Sequence, residues 1–154
     1  MIIHLGADHG GFALKEFIRE LLHQRGYEVA DEGSVALDPA DDFPVFAGKV
    51  AKAVSLDTEG ARGILLCRSG AGVDIVANKF PGVRSVLALS PDQVFQSRRD
   101  DDVNVLSLAA DHIDEEKAKQ LVTVFLETPF EKADRRERRL RQITDIEEGI
   151  SRGL

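Results

Sequence analysis

Five short apolar runs, each followed by a segment whose apolar residues fall at helical spacing, limit this chain more than any other feature. Residues 2–6, 27–30, 63–67, 83–89 and 103–108 read as strands. After the first, Phe12, Leu14, Phe17, Ile18, Leu21 and Leu22 form one helical stripe that Gly26 stops. Residues 33–42 are turn-like, and Val45, Phe46, Val50 and Val54 mark the next helix. A helix ending near Pro81-Gly82 follows the central strand, residues 91–99 and 115–126 are helical, and a charged helix from about 134 closes the chain. Strands that alternate with helices through short connections must run parallel, with both sheet faces covered. Right-handed crossovers then predict an α/β, Rossmann-like three-layer sandwich with a five-stranded parallel sheet and a C-terminal helical tail. Its ligands belong at the C-terminal strand ends.

The 154 residues, 43% of them hydrophobic, suit one domain with an aliphatic core, since there is no Trp. With no run of 18 apolar residues and no basic-then-apolar leader, a soluble, cytoplasmic protein without membrane contact is expected. A single cysteine excludes an intramolecular disulfide and fits a reducing compartment. The net charge of −7 argues against nucleic acid, whose binding draws on phosphate neutralisation. That charge is uneven: Asp100-Asp101-Asp102 is acidic, whereas Arg135, Arg136, Arg138, Arg139 and Arg141 form a basic segment. Both can be solvated surface, or the arginines can reach an anionic ligand held by a neighbouring subunit.

The third strand carries the chemistry. Its apolar run ends at Cys67 and passes through Arg68-Ser69-Gly70-Ala71-Gly72 into a helix. Backbone N–H groups at such a turn are unpaired donors for an anion. The loop is not a dinucleotide fingerprint, because Ile75 stands where a third small residue is needed, and it lacks the Gly-Lys-Ser/Thr ending of a P-loop. His4, His9, His23 and His112 are scattered and one cysteine offers no paired spacing, so no metal site is expected. A thiol at a helix start beside Arg68 is biased toward thiolate, and a thiolate next to an acidic C–H is a general base. The loop N–H groups would then stabilise an enediolate oxyanion. Against this stands the ordinary fate of a free cysteine, a small buried core residue.

Gly6-Ala7-Asp8-His9-Gly10-Gly11-Phe12-Ala13-Leu14-Lys15 resembles the opening signature of the ribose-5-phosphate isomerase B and galactose-6-phosphate isomerase family. So do, in order, Gly63 to Cys67 with Ser69 to Gly72, Ala77-Asn78-Lys79, Pro81-Gly82-Val83-Arg84 and Asn104-Val105-Leu106. The resemblance implies a sugar-phosphate aldose–ketose isomerase without metal or cofactor, built as a homodimer or homotetramer whose sites are shared between subunits. It makes Cys67 the base moving the proton between C1 and C2. A glutamate used by some members would fall at Val73, so the chain resembles the cysteine type. Ser69 and the Gly70-Ala71-Gly72 backbone match the enediolate-stabilising loop, Asp8 and His9 the first substrate-contacting turn, and Phe43 the segment bordering the sugar.

The chain also departs from that pattern. Asp100 and Asp101 stand where the family has a His-Asn pair whose His opens the sugar ring, and Asp111 stands where it has a phosphate-binding arginine. Arg135, Arg136 and Arg139 fall in the segment that completes the phosphate site. The expected catalytic set is therefore Cys67, Ser69 and Asp100. Asp8, His9, Phe43, Arg68, Gly70, Ala71, Gly72, Asp101, Arg135, Arg136 and Arg139 are expected to bind substrate. Three functions follow: an isomerase with altered preference relative to ribose 5-phosphate, the cysteine-bearing subunit of a hetero-oligomeric isomerase, or a sugar-phosphate-binding protein without turnover.

Overall fold

The computed structural model describes residues 1–151, with side chains through residue 149. Five strands alternate with six helices: β1 (Ile2–Ala7), α1 (Phe12–Gln24), β2 (Glu28–Gly33), α2 (Phe43–Leu56), β3 (Ala61–Cys67), α3 (Ala71–Ala77), β4 (Ser85–Leu87), α4 (Pro91–Asp101), β5 (Val105–Ala109), α5 (Glu115–Glu127) and α6 (Asp134–Ser151). All strand pairs are parallel, in the order β2-β1-β3-β5-β4. The alternation predicted this three-layer arrangement. The chain leaves β1 outward to β2 and returns to β3 on the other side of β1. The crevice between the C-terminal ends of β1 and β3 is therefore a topological switch point.

Side-chain alternation along β3 divides the core. Ile64 and Leu66 join Leu14, Ile18 and Leu22 of α1 and Leu121, Val122 and Phe125 of α5 on one face. Leu65 and Cys67 join Ala47, Val50, Ala51 and Val54 of α2 and Val73 and Ala77 of α3 on the other. Each such fully buried aliphatic contributes about 1.5–3 kcal/mol relative to exposure. Ile64, Leu65 and Leu66 show no exposure at all, which makes β3 the spine of the fold.

Three boundaries differ from expectation. β2 runs on to Gly33, where pairing with Gly6 shifts register, so part of the turn-like stretch is sheet. β4 shrinks to three residues because it is the edge strand: Val83 and Arg84 are taken by the loop, with the Val83 N–H on Phe80 O and the Arg84 N–H on Asn104 Oδ1. β5 begins two residues later than expected, because Val103 and Asn104 form the connection from α4. Among the described residues no helix is long and apolar enough to cross a membrane.

Several motif residues prove to be struts. Asn104, fully buried, donates to Gly82 O at 2.9 Å and accepts the Arg84 N–H at 2.8 Å. Asn78 donates to Ser85 O and accepts the Ser85 N–H, closing the α3–β4 connection. Arg84 donates to Asp102 Oδ2 at 2.9 Å and to the Asp101 and Asp102 carbonyls. Asp102, at φ +47°, ends α4 in the left-handed region. These contacts lie at the N-terminal edge of the sheet, remote from the switch point.

Candidate active site

The register Ala7↔Leu66 puts the residues following β1 level with Cys67, one strand spacing of about 4.8 Å away. The turn Asp8–Gly11 seats directly on that strand end. A Cβ on Gly10 would lie 3.3 Å from the Arg68 nitrogen, and one on Gly11 would lie 2.6 Å from Leu66 Cβ. At Gly11 the opposing atoms include the Leu66 backbone, so only glycine admits this approach there, whereas at Gly10 the Arg68 side chain would have to move. Asp8, 7% exposed, accepts the Gly11 N–H on Oδ1 at 3.1 Å, so it closes the turn. The helix cap itself is Gly11, without a side-chain bond.

Cys67 is 5% exposed, and its Sγ accepts the Gly70 N–H at 3.2 Å, a contact a thiolate takes more strongly than a thiol. Gly70 sits at φ +71°, and a Cβ there would meet the backbone of Leu108 and Ala109 within 3.0 Å. Both conformation and space therefore demand glycine. Ser69 Oγ accepts the Ala71 N–H at a long 3.4 Å and is free to turn to another partner. The Phe43 ring, at the start of α2, lies where a Gly72 Cβ would be only 2.8 Å from it, so the ring covers the loop.

Arg68 follows Cys67 in sequence but is drawn elsewhere. Its guanidinium lies 3.5 Å from Asp111 Oδ2, and both side chains are largely exposed. The Asp111 N–H also donates to Arg68 O at 3.0 Å, which holds the β3 and β5 loops together. Asp111 thus stands beside the β3 end as the counter-charge of Arg68.

The structure brings Asp8, His9, Phe43, Arg68, Ser69 and the glycine loop to Cys67. It does not bring Asp100, Asp101, Arg135, Arg136 or Arg139 there. α4 and α5 both run antiparallel to the strands, so Asp100, Asp101 and the start of α6 lie at the N-terminal edge. That is the length of β3 away, about 20 Å at 3.3 Å per residue. There Asp100 Oδ1 lies 2.7 Å from Arg99 Nε and 2.6 Å from Arg136 Nη2. The Arg99 hydrogen bond, then the Arg136 charge, outweigh desolvation and hold the Asp100 carboxyl at about 2. A carboxylate so held accepts hydrogen bonds but has no proton to give at neutral pH. Arg136, 5% exposed, is also bound to Glu131 at 2.8 Å. Arg135 and Arg139 are exposed and make no ion pair among the described residues. Among those residues no three His, Cys, Asp or Glu side chains gather as a metal-ligand set.

One contact escaped sequence reasoning. The His9 backbone N–H and ring Nδ1 both meet Asp41 Oδ1, at 2.9 and 2.8 Å. The two residues are 32 positions apart, and no local pattern links them.

A doubly wound α/β sheet with a thiol, a glycine loop and an Asp-His turn at its switch point belongs to the class of α/β proteins that hold a small ligand at the C-terminal strand ends. Residues 3–143 match the family described as Ribose/Galactose Isomerase. The chain is 39% identical over 146 residues to ribose-5-phosphate isomerase B of Escherichia coli, covering 95% of this chain and 96% of that one. It is 36% identical to the protein of that name from Mycobacterium tuberculosis, covering 96% and 90%. A solved structure of ribose-5-phosphate isomerase B from Mycoplasma genitalium with bound ribulose-5-phosphate superposes with a TM-score of 0.92 at 35% identity, covering 96% of each chain. The enzyme from Clostridium thermocellum gives 0.92 at 36%, covering 97% of this chain and 99% of that one. This chain belongs to the ribose/galactose isomerase family.

Proposed function

We propose that the protein is a single-domain aldose–ketose isomerase of a sugar phosphate, of the ribose 5-phosphate/ribulose 5-phosphate type or a close relative. The observation that carries this is the Cys67 sulfur at the C-terminal end of β3, nearly buried and hydrogen-bonded by the Gly70 N–H. As a thiolate it takes the C2 proton of the open-chain aldose. The electron pair moves to C1–O1 as an enediolate, whose charge Ser69 and the N–H groups after Gly70 meet. Returning the proton to C1 completes the ketose. Asp8 and His9 contact the sugar from the β1 side, and Phe43 shields it from water.

The phosphate end comes from a second protomer. Arg135 and Arg139 are exposed at the far edge with no ion pair among the described residues, and within one chain they cannot reach Cys67. A homodimer or homotetramer with shared sites supplies them, with α6 lying on the partner. Asp100 serves there as the anchor of Arg136, with Asp101 exposed beside it. Because Asp100 cannot protonate a ring oxygen, substrates that are open-chain or short fit the site best. The buried free thiol agrees with a reducing, cytoplasmic setting.

The test is a panel of ribulose 5-phosphate, allulose 6-phosphate, tagatose 6-phosphate and erythrulose 4-phosphate, assayed with wild type and Cys67→Ala. Turnover and exchange of the substrate's C2 (aldose) or C1 (ketose) proton with deuterium are expected in wild type. Both should fall at least about 10³-fold in the variant, with sugar-phosphate binding retained. Equal activity in the two proteins removes Cys67 from the mechanism. Turnover only after a homologous subunit is added makes this chain the cysteine-bearing half of a hetero-oligomer.

A further inference from the structure

Asp41 lies in the connection between β2 and α2, one residue before the α2 cap. Its side chain is 8% exposed, unusual for a carboxylate on a surface connection. Oδ1 takes two hydrogen bonds from one residue, the backbone and the ring of His9. Oδ2 is buried with no hydrogen-bond partner, and no Lys or Arg pairs with Asp41 among the described residues. A buried carboxylate with one unmet oxygen is costly unless a positive charge develops beside it. The His9 imidazole, its Nδ1 2.8 Å from Oδ1, is placed to develop one.

His9 belongs to the turn that seats on the end of β3, one residue past the position level with Cys67. With Nδ1 engaged by Asp41, Nε2 is the ring nitrogen left without a protein partner among the described residues. Isomerisation requires more than the carbon-to-carbon proton transfer. After Cys67 removes the C2 proton, O1 must gain a proton and O2 must lose one.

Resting on the isomerase reading above, we propose that Asp41 is a positioning residue that fixes His9 as the carrier of this second proton. The His9 Nδ1–H donates to Asp41, and Nε2 accepts the O2 hydroxyl proton. The imidazolium so formed is neutralised by the Asp41 carboxylate, and Nε2 then delivers the proton to O1. Cys67 returns its own proton to C1. C2 is oxidised and C1 reduced within one molecule, and both protein groups end as they began. The arrangement gives the buried Asp41 charge its counterion at the step where one is needed.

The experiment combines ring-nitrogen NMR of the full chain with a double-mutant cycle. In wild type the His9 ring is expected as the Nδ1–H tautomer, assigned by its loss in His9→Gln. In Asp41→Ala it should revert to the Nε2–H tautomer. With the best substrate of the panel, Asp41→Ala should lower kcat about 10²-fold with KM within about threefold. Asp41→Asn, which keeps an acceptor oxygen but not the charge, should lower it about tenfold with an unchanged melting temperature. In the His9→Gln background, Asp41→Ala should cost less than about twofold more. An equal loss in both backgrounds, or an unchanged tautomer in Asp41→Ala, overturns the proposal. A wild type inactive on the whole panel defeats the isomerase reading instead, and the tautomer still decides whether Asp41 positions His9.

Discussion

Gly11→Ala tests how the Asp8–His9 turn is held against the central strand. Gly11 has φ −99° and ψ −4°, a conformation open to alanine, so any cost must come from contact. The added Cβ would lie 2.6 Å from Leu66 Cβ, 2.8 Å from its carbonyl carbon and 2.9 Å from its oxygen. Relief to ordinary contact needs a displacement of about 0.8 Å, and no flexible side chain can absorb it. Leu66 is backbone-paired to both β1 and β5, so the turn and the start of α1 must move instead. Overpacking of this kind costs about 1–3 kcal/mol, and backbone opposition places it near the top. For about 150 residues, about 3 kcal/mol lowers the melting temperature by about 6–12 °C. The same shift drags Asp8 and His9 with it. Displacement of a substrate-contacting group by up to 1 Å costs up to about 100-fold in kcat/KM. Calorimetry and the isomerase assay read the two effects, with Gly26→Ala as control. Gly26 has nothing within 4 Å but φ +79°, so it should lose about 1 kcal/mol and no activity. A Gly11→Ala protein that melts within a degree of wild type and keeps full activity refutes the seating argument.

Two further outcomes concern charge. Lys15, fully buried, pairs with Asp31 at 2.6 Å and Glu16 at 2.9 Å beneath the Phe12 ring. Lys15→Met should cost about 3 kcal/mol by stranding two carboxylates, at the low end because Arg19 still reaches Asp31. Burial opposes ionisation of Asp31, but hydrogen bonds from Lys15 and Gly33 N–H and the Lys15 and Arg19 charges more than offset it, so its carboxyl titrates below its ordinary value. A depressed native value contributes stability above the unfolded carboxyl range, near 3.9, that is lost as pH falls through the native value. The acid limb of the stability curve should therefore flatten in Lys15→Met, as pH-dependent urea melts would show. Asp100 obeys the same sign, its contribution fading as pH drops toward about 2. Asp100→Asn should speed hydrogen exchange in the first turns of α6, leave α1 to α3 unaffected and keep kcat within about tenfold. Loss of turnover without any change in α6 would instead restore Asp100 as a proton donor.

The β3–loop–α3 unit was legible because it is local. Ile64 to Cys67 and Gly70 to Gly72 encode strand, left-handed turn and helix within ten residues, and Gly70 has no substitute there. The edge strand β4 was overestimated for a related reason: the apolar run 83–89 has strand composition, but only three of its residues pair with β5. Arg68 shows where adjacency in sequence misleads. It was expected to bias the thiol, yet its guanidinium pairs with Asp111, 43 positions on, because parallel strands β3 and β5 end side by side.

By itself, the sequence determined the parallel α/β sandwich, the family, and the thiol and glycine loop at a strand end. Periodicity and turn chemistry act over a few residues, and both are written there directly. The tertiary structure alone decided which charged groups meet. It tied His9 to Asp41, Lys15 to Asp31 and Asp100 to Arg136, and it set the basic segment a sheet-length from Cys67. Such pairings join residues 16 to 36 positions apart, and burial raises their strength by excluding the water that would otherwise screen them.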